Sequence, residues 1–92
     1  MLFYVVTYDV PCDNRRRKIA KLLEGYGQRV QYSVFECVLA NHKYQELKQR
    51  LKQRVKLPED SVRFYPLSNH TRPNIEAWGD EEIATAATSV VV

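Results

Sequence analysis

"MLFYVVTYDVPCDNRRRKIAKLLEGY", residues 1 to 26, changes its hydrophobic period partway along. Met1 to Tyr8 is apolar on both faces and rich in β-branched and aromatic residues, the pattern of a central strand covered on two sides. Asp9 then stands at the C-terminal end of that strand, on this reading a nearly buried acid. From Asp13, a good N-cap, the apolar residues Ile19, Leu22, Leu23 and Tyr26 follow i, i+3, i+4, i+7 spacing. That spacing predicts an amphipathic helix with arginines in its first turn, stopped by Gly25 and Gly27.

The rest of the chain repeats the alternation of periods. Arg29 to Ala40, RVQYSVFECVLA, is strand-like and predicts two short strands bending near Ser33 to Phe35. Val30, Tyr32 and Val34 fall on one face, and Arg29, Gln31, Ser33 and Phe35 on the other. Asn41 caps a second helix whose Tyr44, Leu47, Leu51 and Val55 form one apolar stripe ending before Pro58. Ser61 to Leu67 is a further strand, and Pro66 marks it as an edge or a strand end. Asn74 to Trp78, after the Pro73 break, is read as one more short strand that Trp78 anchors. Strand, helix, two strands, helix, strand is the order of an α+β, ferredoxin-like β-α-β-β-α-β fold with both helices on one sheet face. Residues 1–78 make this one domain, and residues 79–92 are expected to be a flexible or partner-packed tail.

A chain of 92 residues has a thin core, and two helices cover only one sheet face. Phe3, Val5, Thr7 and Asp9 share one side of the first strand, while Leu2, Tyr4, Val6 and Tyr8 share the other. Both sides are largely apolar, so the uncovered side predicts a homodimer interface.

Net charge is +3, yet the distribution is uneven. All 14 Lys and Arg fall within residues 1–75 against 7 acids, a balance of +7, while the remainder carries 4 acids and no base. A basic body of this size suits a polyanion, nucleic acid first, although surface lysines also serve solubility alone. With 45% hydrophobic and 27% charged residues and no apolar run long enough to span a bilayer, no membrane role is expected. The short first strand lacks a basic leader, so no signal peptide is read there. Cys12 and Cys37 lie far apart without metal-ligand spacing, which favours reduced thiols and a cytoplasmic setting over a zinc site or a disulfide framework. His42 and His70 have no partner at ligand spacing and read as surface residues.

Two carboxylates brought together at a dimer rim repel unless a cation or a shared proton lies between them. One Asp9 from each subunit can therefore hold a shared Mg²⁺, an ion often bound by only one or two carboxylates together with water and phosphate oxygens. Arg15, Arg16, Arg17 and Lys18 would then neutralise the nucleic-acid backbone. Bland readings stand beside these. An aspartate near a proline is a common turn former, part of the basic block is a solvated helix face, and Tyr8 and Phe35 suit a core.

YDV closing the first strand, DNRRRK opening the first helix, and G-x-R-x-Q-Y-S-V-F-E from Gly27 to Glu36 together resemble the CRISPR-associated Cas2 family. The resemblance spans about the first two-thirds of the chain. It implies a ferredoxin-like homodimer, often completed by a C-terminal strand added to the partner's sheet. It also implies a Mg²⁺-dependent phosphodiesterase acting on single-stranded RNA or double-stranded DNA, and a bridge for the CRISPR integrase in spacer acquisition and antiviral defence. Carried over, Asp9 matches the metal-binding aspartate, Tyr8 precedes it, and Arg16 matches a helix-opening arginine. Arg29 and Phe35 match the second motif's active-site residues. Lys18 stands where some members have arginine, which leaves a point charge in place of a bidentate contact.

Two readings follow: a metal-dependent endonuclease using Asp9, or a non-catalytic dimeric scaffold that grips duplex DNA and docks the integrase. A ferredoxin-like toxin that cleaves messenger RNA shares the fold. An RNA-recognition motif fits less well, because the aromatic pattern of the central strands lacks its stacking signature.

Overall fold

The apolar run at the start of the chain forms β1 (Leu2–Asp9) in a computed structural model that describes residues 1–79 and 82–86. It is followed by α1 (Asp13–Glu24), β2 (Gln28–Gln31), β3 (Val34–Leu39), α2 (Asn41–Lys52) and β4 (Ser61–Leu67). The strands form one antiparallel sheet in the order β2-β3-β1-β4, so the most apolar strand is central and the Pro66 strand lies at an edge. This is the expected α+β, ferredoxin-like arrangement, and the hairpin bend falls at Tyr32–Ser33, one residue earlier than the sequence suggests.

The helix starts differ by one residue from expectation. Cys12 and Ala40 occupy the N-cap positions without a side-chain cap bond, and Asp13 and Asn41 are the first helical residues. Asp13 still favours the positive end of α1 and pairs with Arg16 one turn on. Gly25 closes α1 with right-handed backbone, not the left-handed cap a glycine permits. Gly27 is needed for a different reason: a Cβ there would fall onto the Glu36 carbonyl and within 2.5 Å of Cys37 Sγ, so β2 could not lie against β3.

The helix-side core contains Tyr4, Val6 and Tyr8 of β1, Phe35, Cys37 and Leu39 of β3, and Ile19, Leu23, Leu47 and Leu51 of the helices. Tyr4 stacks on Tyr44 with ring centroids 4.1 Å apart. Burying several aromatic and branched side chains at about 1.5–3 kcal/mol each makes this face the main source of stability. Cys12 and Cys37 are free thiols, and burial pushes Cys37 up to about 12.

The other face is covered in part by the chain itself. Phe3 and Val38 are buried with Ala84, and Val5, Leu67, Ile75 and Ile83 pack around them. Gln28 Nε2 donates to the Glu82 carbonyl at 3.0 Å, and the Ala84 N–H donates to Glu36 Oε1 at 3.2 Å. Glu82–Ala86 of the anticipated tail thus returns to its own sheet, while residues 80, 81 and 87–92 lie outside the described residues. The extra short strand expected at Asn74–Trp78 does not form within the chain. Arg72–Asn74 is a single 3₁₀ turn, residues 75–78 join no ladder, and Trp78 is 94% exposed instead of anchoring a strand. No helix among the described residues is long and apolar enough to cross a membrane.

Candidate functional site

Alternation along β1 puts consecutive residues on opposite faces of the sheet, and this divides the expected site. Tyr8 points into the helix-side core. Its ring lies 6.3 Å from that of Phe35, and the Arg29 guanidinium reaches it, Nη2 to Tyr8 Oη at 3.5 Å. Arg29 Cζ also lies 5.5 Å from the Phe35 centroid, so Tyr8, Arg29 and Phe35 are brought together as one cluster. Phe35 is 0% exposed, however, and a side chain without solvent access cannot touch a substrate. In the single chain it packs against Tyr8 and Arg29, so a part in the site would run through those two residues.

Asp9 lies on the opposite face, at the end of β1. It is exposed instead of nearly buried, because it is opposite Ser61 at the end of the β1–β4 ladder, beyond the patch that Ile75, Ile83 and Ala84 cover. Thr7, Arg63 and Tyr65 share its side of the sheet, with Arg63 Nη1 donating to Tyr65 Oη at 3.1 Å. Among the described residues the Asp9 carboxylate has no ion pair or hydrogen bond. As a hard oxygen donor without a neutralising partner, it suits a divalent cation such as Mg²⁺. The count does not suffice within one chain, since the described residues contain no cluster of three or more His, Cys, Asp or Glu able to hold a metal.

The basic block separates just as sharply. Arg15 forks onto Asp60, with Nε to Oδ2 and Nη2 to Oδ1 both at 2.8 Å, and Glu59 lies 3.6 Å away. Asp60 is 2% exposed and accepts the Lys56 N–H at 2.8 Å as well. The Arg15 guanidinium, with its side hydrogen bonds the first cause, holds the Asp60 carboxyl below its ordinary value. Arg15 is therefore a structural cation tying the start of α1 to the start of β4, which leaves less of it for the nucleic-acid contact expected of it. Arg16 Nη1 donates to the Val10 carbonyl at 3.0 Å and its Nη2 pairs with Asp13, which leaves it only partly available. Arg17 and Lys18 are exposed. Arg16, Arg17, Lys21 and Arg29 line one cleft with Tyr32, and Lys18 lies outside it.

Lys21, Tyr32, Asp60 and Arg63 were not expected at the site. Helical spacing could have found Lys21, four residues beyond Arg17 on the same face. The pairing of Asp60 with Arg15 left no local sign, since 45 residues separate them. Because Arg15 is occupied and Arg17 and Lys21 are not, Arg17→Ala with Lys21→Ala is expected to lower the salt slope of nucleic-acid binding. Each lost phosphate contact removes about 0.7–0.9 units of slope. Titrations at several NaCl concentrations check this, and Arg15→Ala measured well below its unfolding temperature should leave the slope near wild type.

Comparison with known proteins places this geometry in context. The family model described as CRISPR associated protein Cas2 matches residues 1–75. A protein named CRISPR-associated endoribonuclease Cas2 3, from Synechocystis sp., is 53% identical over 92 residues, covering 100% of both chains. The crystal structure of Streptococcus pyogenes Cas2 at pH 6.5 has a TM-score of 0.72 at 40% identity, covering 84% of this chain and 99% of that one. A chain in a partial Cas6-RT-Cas1–Cas2 complex has a TM-score of 0.73 at 34% identity, covering 84% and 90%.

Proposed function

Because the chain belongs to the CRISPR associated protein Cas2 family, we propose that it is a Mg²⁺-dependent endonuclease of CRISPR adaptation, working as a cytoplasmic homodimer. The nuclease role is supported by the name of the Synechocystis relative, which is called an endoribonuclease. The observation that carries the mechanism is the position of Asp9. It is exposed and, among the described residues, unpaired, on the part of the outer sheet face beyond the patch that Ile75, Ile83 and Ala84 cover.

A second copy meeting this face would bring its own Asp9 to the first and complete the donor set that one chain lacks. A divalent ion held there would supply an acidified water and charge stabilisation on a phosphodiester. The chain's own residues do the rest. Asp9 holds its charge toward the shared site, and Arg63 offers a cation on the same face to a phosphate oxygen. Tyr8 and Phe35 keep the end of β1 rigid from the opposite side, where Tyr8 Oη donates to the Tyr32 carbonyl at 3.3 Å. Single-stranded RNA and double-stranded DNA are both candidate substrates.

The scaffold reading has an observation of its own. The Arg17 and Lys21 cleft lies on the helix side, away from Asp9, so backbone contacts there require no cleavage. In that reading the dimer grips duplex DNA and bridges the CRISPR integrase, as the chain matched within a complex containing Cas1 invites.

Metal removal tests the catalytic reading. Chelation with EDTA should abolish cleavage, added Mg²⁺ should restore it, and calorimetry should find one tight ion for every two chains. Cleavage that continues in EDTA, or one ion bound per isolated chain, would rule the shared site out.

A further inference from the structure

Tyr32 is a large aromatic residue that the fold positions with care and does not bury. It sits in the two-residue turn between β2 and β3 with 78% of its surface exposed. The turn itself is pinned. The Tyr32 carbonyl accepts Arg29 Nε at 3.1 Å and Tyr8 Oη at 3.3 Å, and the Ser33 carbonyl accepts the Tyr8 N–H at 3.2 Å. The Arg29 guanidinium carbon also lies 5.6 Å from the Tyr32 ring centroid, near enough for a cation–π contact. The ring gains almost no burial from this, yet its backbone carbonyl is held by buried Tyr8 and by Arg29, itself exposed.

The cleft beneath the ring has a volume of about 610 Å³, within the roughly 300–1,000 Å³ typical of small-ligand sites. Ala20, one turn from Arg17 and next to Lys21, is the small residue on its helix wall. Asp13 occupies Arg16, while Arg17 and Lys21 enter no ion pair among the described residues. An exposed ring beside two uncommitted cations matches the chemistry of a nucleotide, a π-face joined to a phosphate. A duplex covers its base faces with neighbouring pairs, so only an unpaired base can lie on such a ring.

We propose that this cleft is a subsite for one unpaired nucleotide of single-stranded nucleic acid, with its base on the Tyr32 ring and its phosphate on Arg17 and Lys21. Arg29 is a positioning residue, holding the turn and backing the ring. The subsite goes beyond the cleavage reading and involves neither Asp9 nor a metal.

The test uses the full chain in EDTA, so that no divalent ion or cleavage takes part and failure of the Asp9 reading leaves it untouched. Anisotropy of a labelled ten-nucleotide deoxythymidine strand should show about tenfold weaker binding for Tyr32→Ala and near wild-type binding for Tyr32→Phe. A ten-base-pair duplex without a loop or overhang should lose less than about twofold. In a Trp78→Phe background, Tyr32→Trp should be quenched when the oligonucleotide is added and not by polyglutamate. Unchanged single-strand affinity in Tyr32→Ala, equal losses for strand and duplex, or quenching by polyglutamate to the same extent would each overturn the proposal, the last in favour of an acidic peptide.

Discussion

Asp9→Asn should reduce Mg²⁺-dependent cleavage by about 10²–10³-fold, the range seen when one electrostatic stabiliser is removed from a reacting phosphate or acyl centre. Asparagine keeps the shape of the side chain and removes the charge on which a hard cation depends. Thermal stability should hardly change, because Asp9 is exposed and engages no other described residue. Near-normal melting with lost cleavage therefore separates chemistry from folding. The scaffold reading makes the opposite forecast for the same variant: spacer acquisition and assembly with the integrase survive. Full cleavage by Asp9→Asn would exclude the proposed catalytic role, and lost acquisition despite normal assembly would count against a purely structural one.

Arg15→Ala is expected to lower Tm by more than about 10 °C, a large effect for a residue that sequence reading assigns to nucleic acid. Removing the guanidinium leaves Asp60 buried with its charge uncompensated, and burying an unpaired charge is among the costliest single changes in a fold. Arg15→Lys should fall between, since an ammonium keeps the charge and cannot reproduce the two parallel 2.8 Å contacts. Replacing both partners with apolar residues of similar volume should restore much of the loss.

The same pair carries a pH dependence of known sign. The Asp60 carboxyl lies below its ordinary value of 3.8, the Arg15 hydrogen bonds being the largest cause. Near that range the unfolded chain binds more protons than the folded one, so stability rises with pH. The contribution is complete above the unfolded value and is lost as pH falls through the depressed folded one. Melting curves of wild type and Asp60→Asn should stand apart at pH 7 and draw together only as pH falls below 3.8 through the depressed folded value. Parallel curves across that window would mean that Asp60 does not carry the linkage.

Much of the fold was legible because burial periodicity is a local property. The two-sided apolar run of β1, the helical spacing of Ile19, Leu22 and Leu23, and the stripe of Tyr44, Leu47 and Leu51 each report their element within a few residues. The break at Pro73 suggested a strand afterwards, yet residues 75–78 form none in the single chain, since a strand requires a neighbour's ladder and no described segment offers one. The Tyr32–Ser33 turn lacks the usual Gly or Asn, so the sequence sets the bend one residue late and gives Tyr32 to a strand face, which hides its exposure.

The candidate site was legible in its residue types and not in their employment. Asp9 at the end of the first strand, a dense basic block after it, and Arg29 with Phe35 in the second motif could all be named from the chain alone. That Arg15, of four adjacent cations, is the one tied into the fold was decided by Asp60, brought to α1 by the packing of β4 against β1. Whether Tyr8 and Asp9 could share a pocket was decided by the sheet, whose two sides are closed by different parts of the molecule. Hydrophobic patterning acts between neighbours along the chain and can be read in one dimension. Ion pairing and access depend on distances through space, and only the folded arrangement of remote segments determines those.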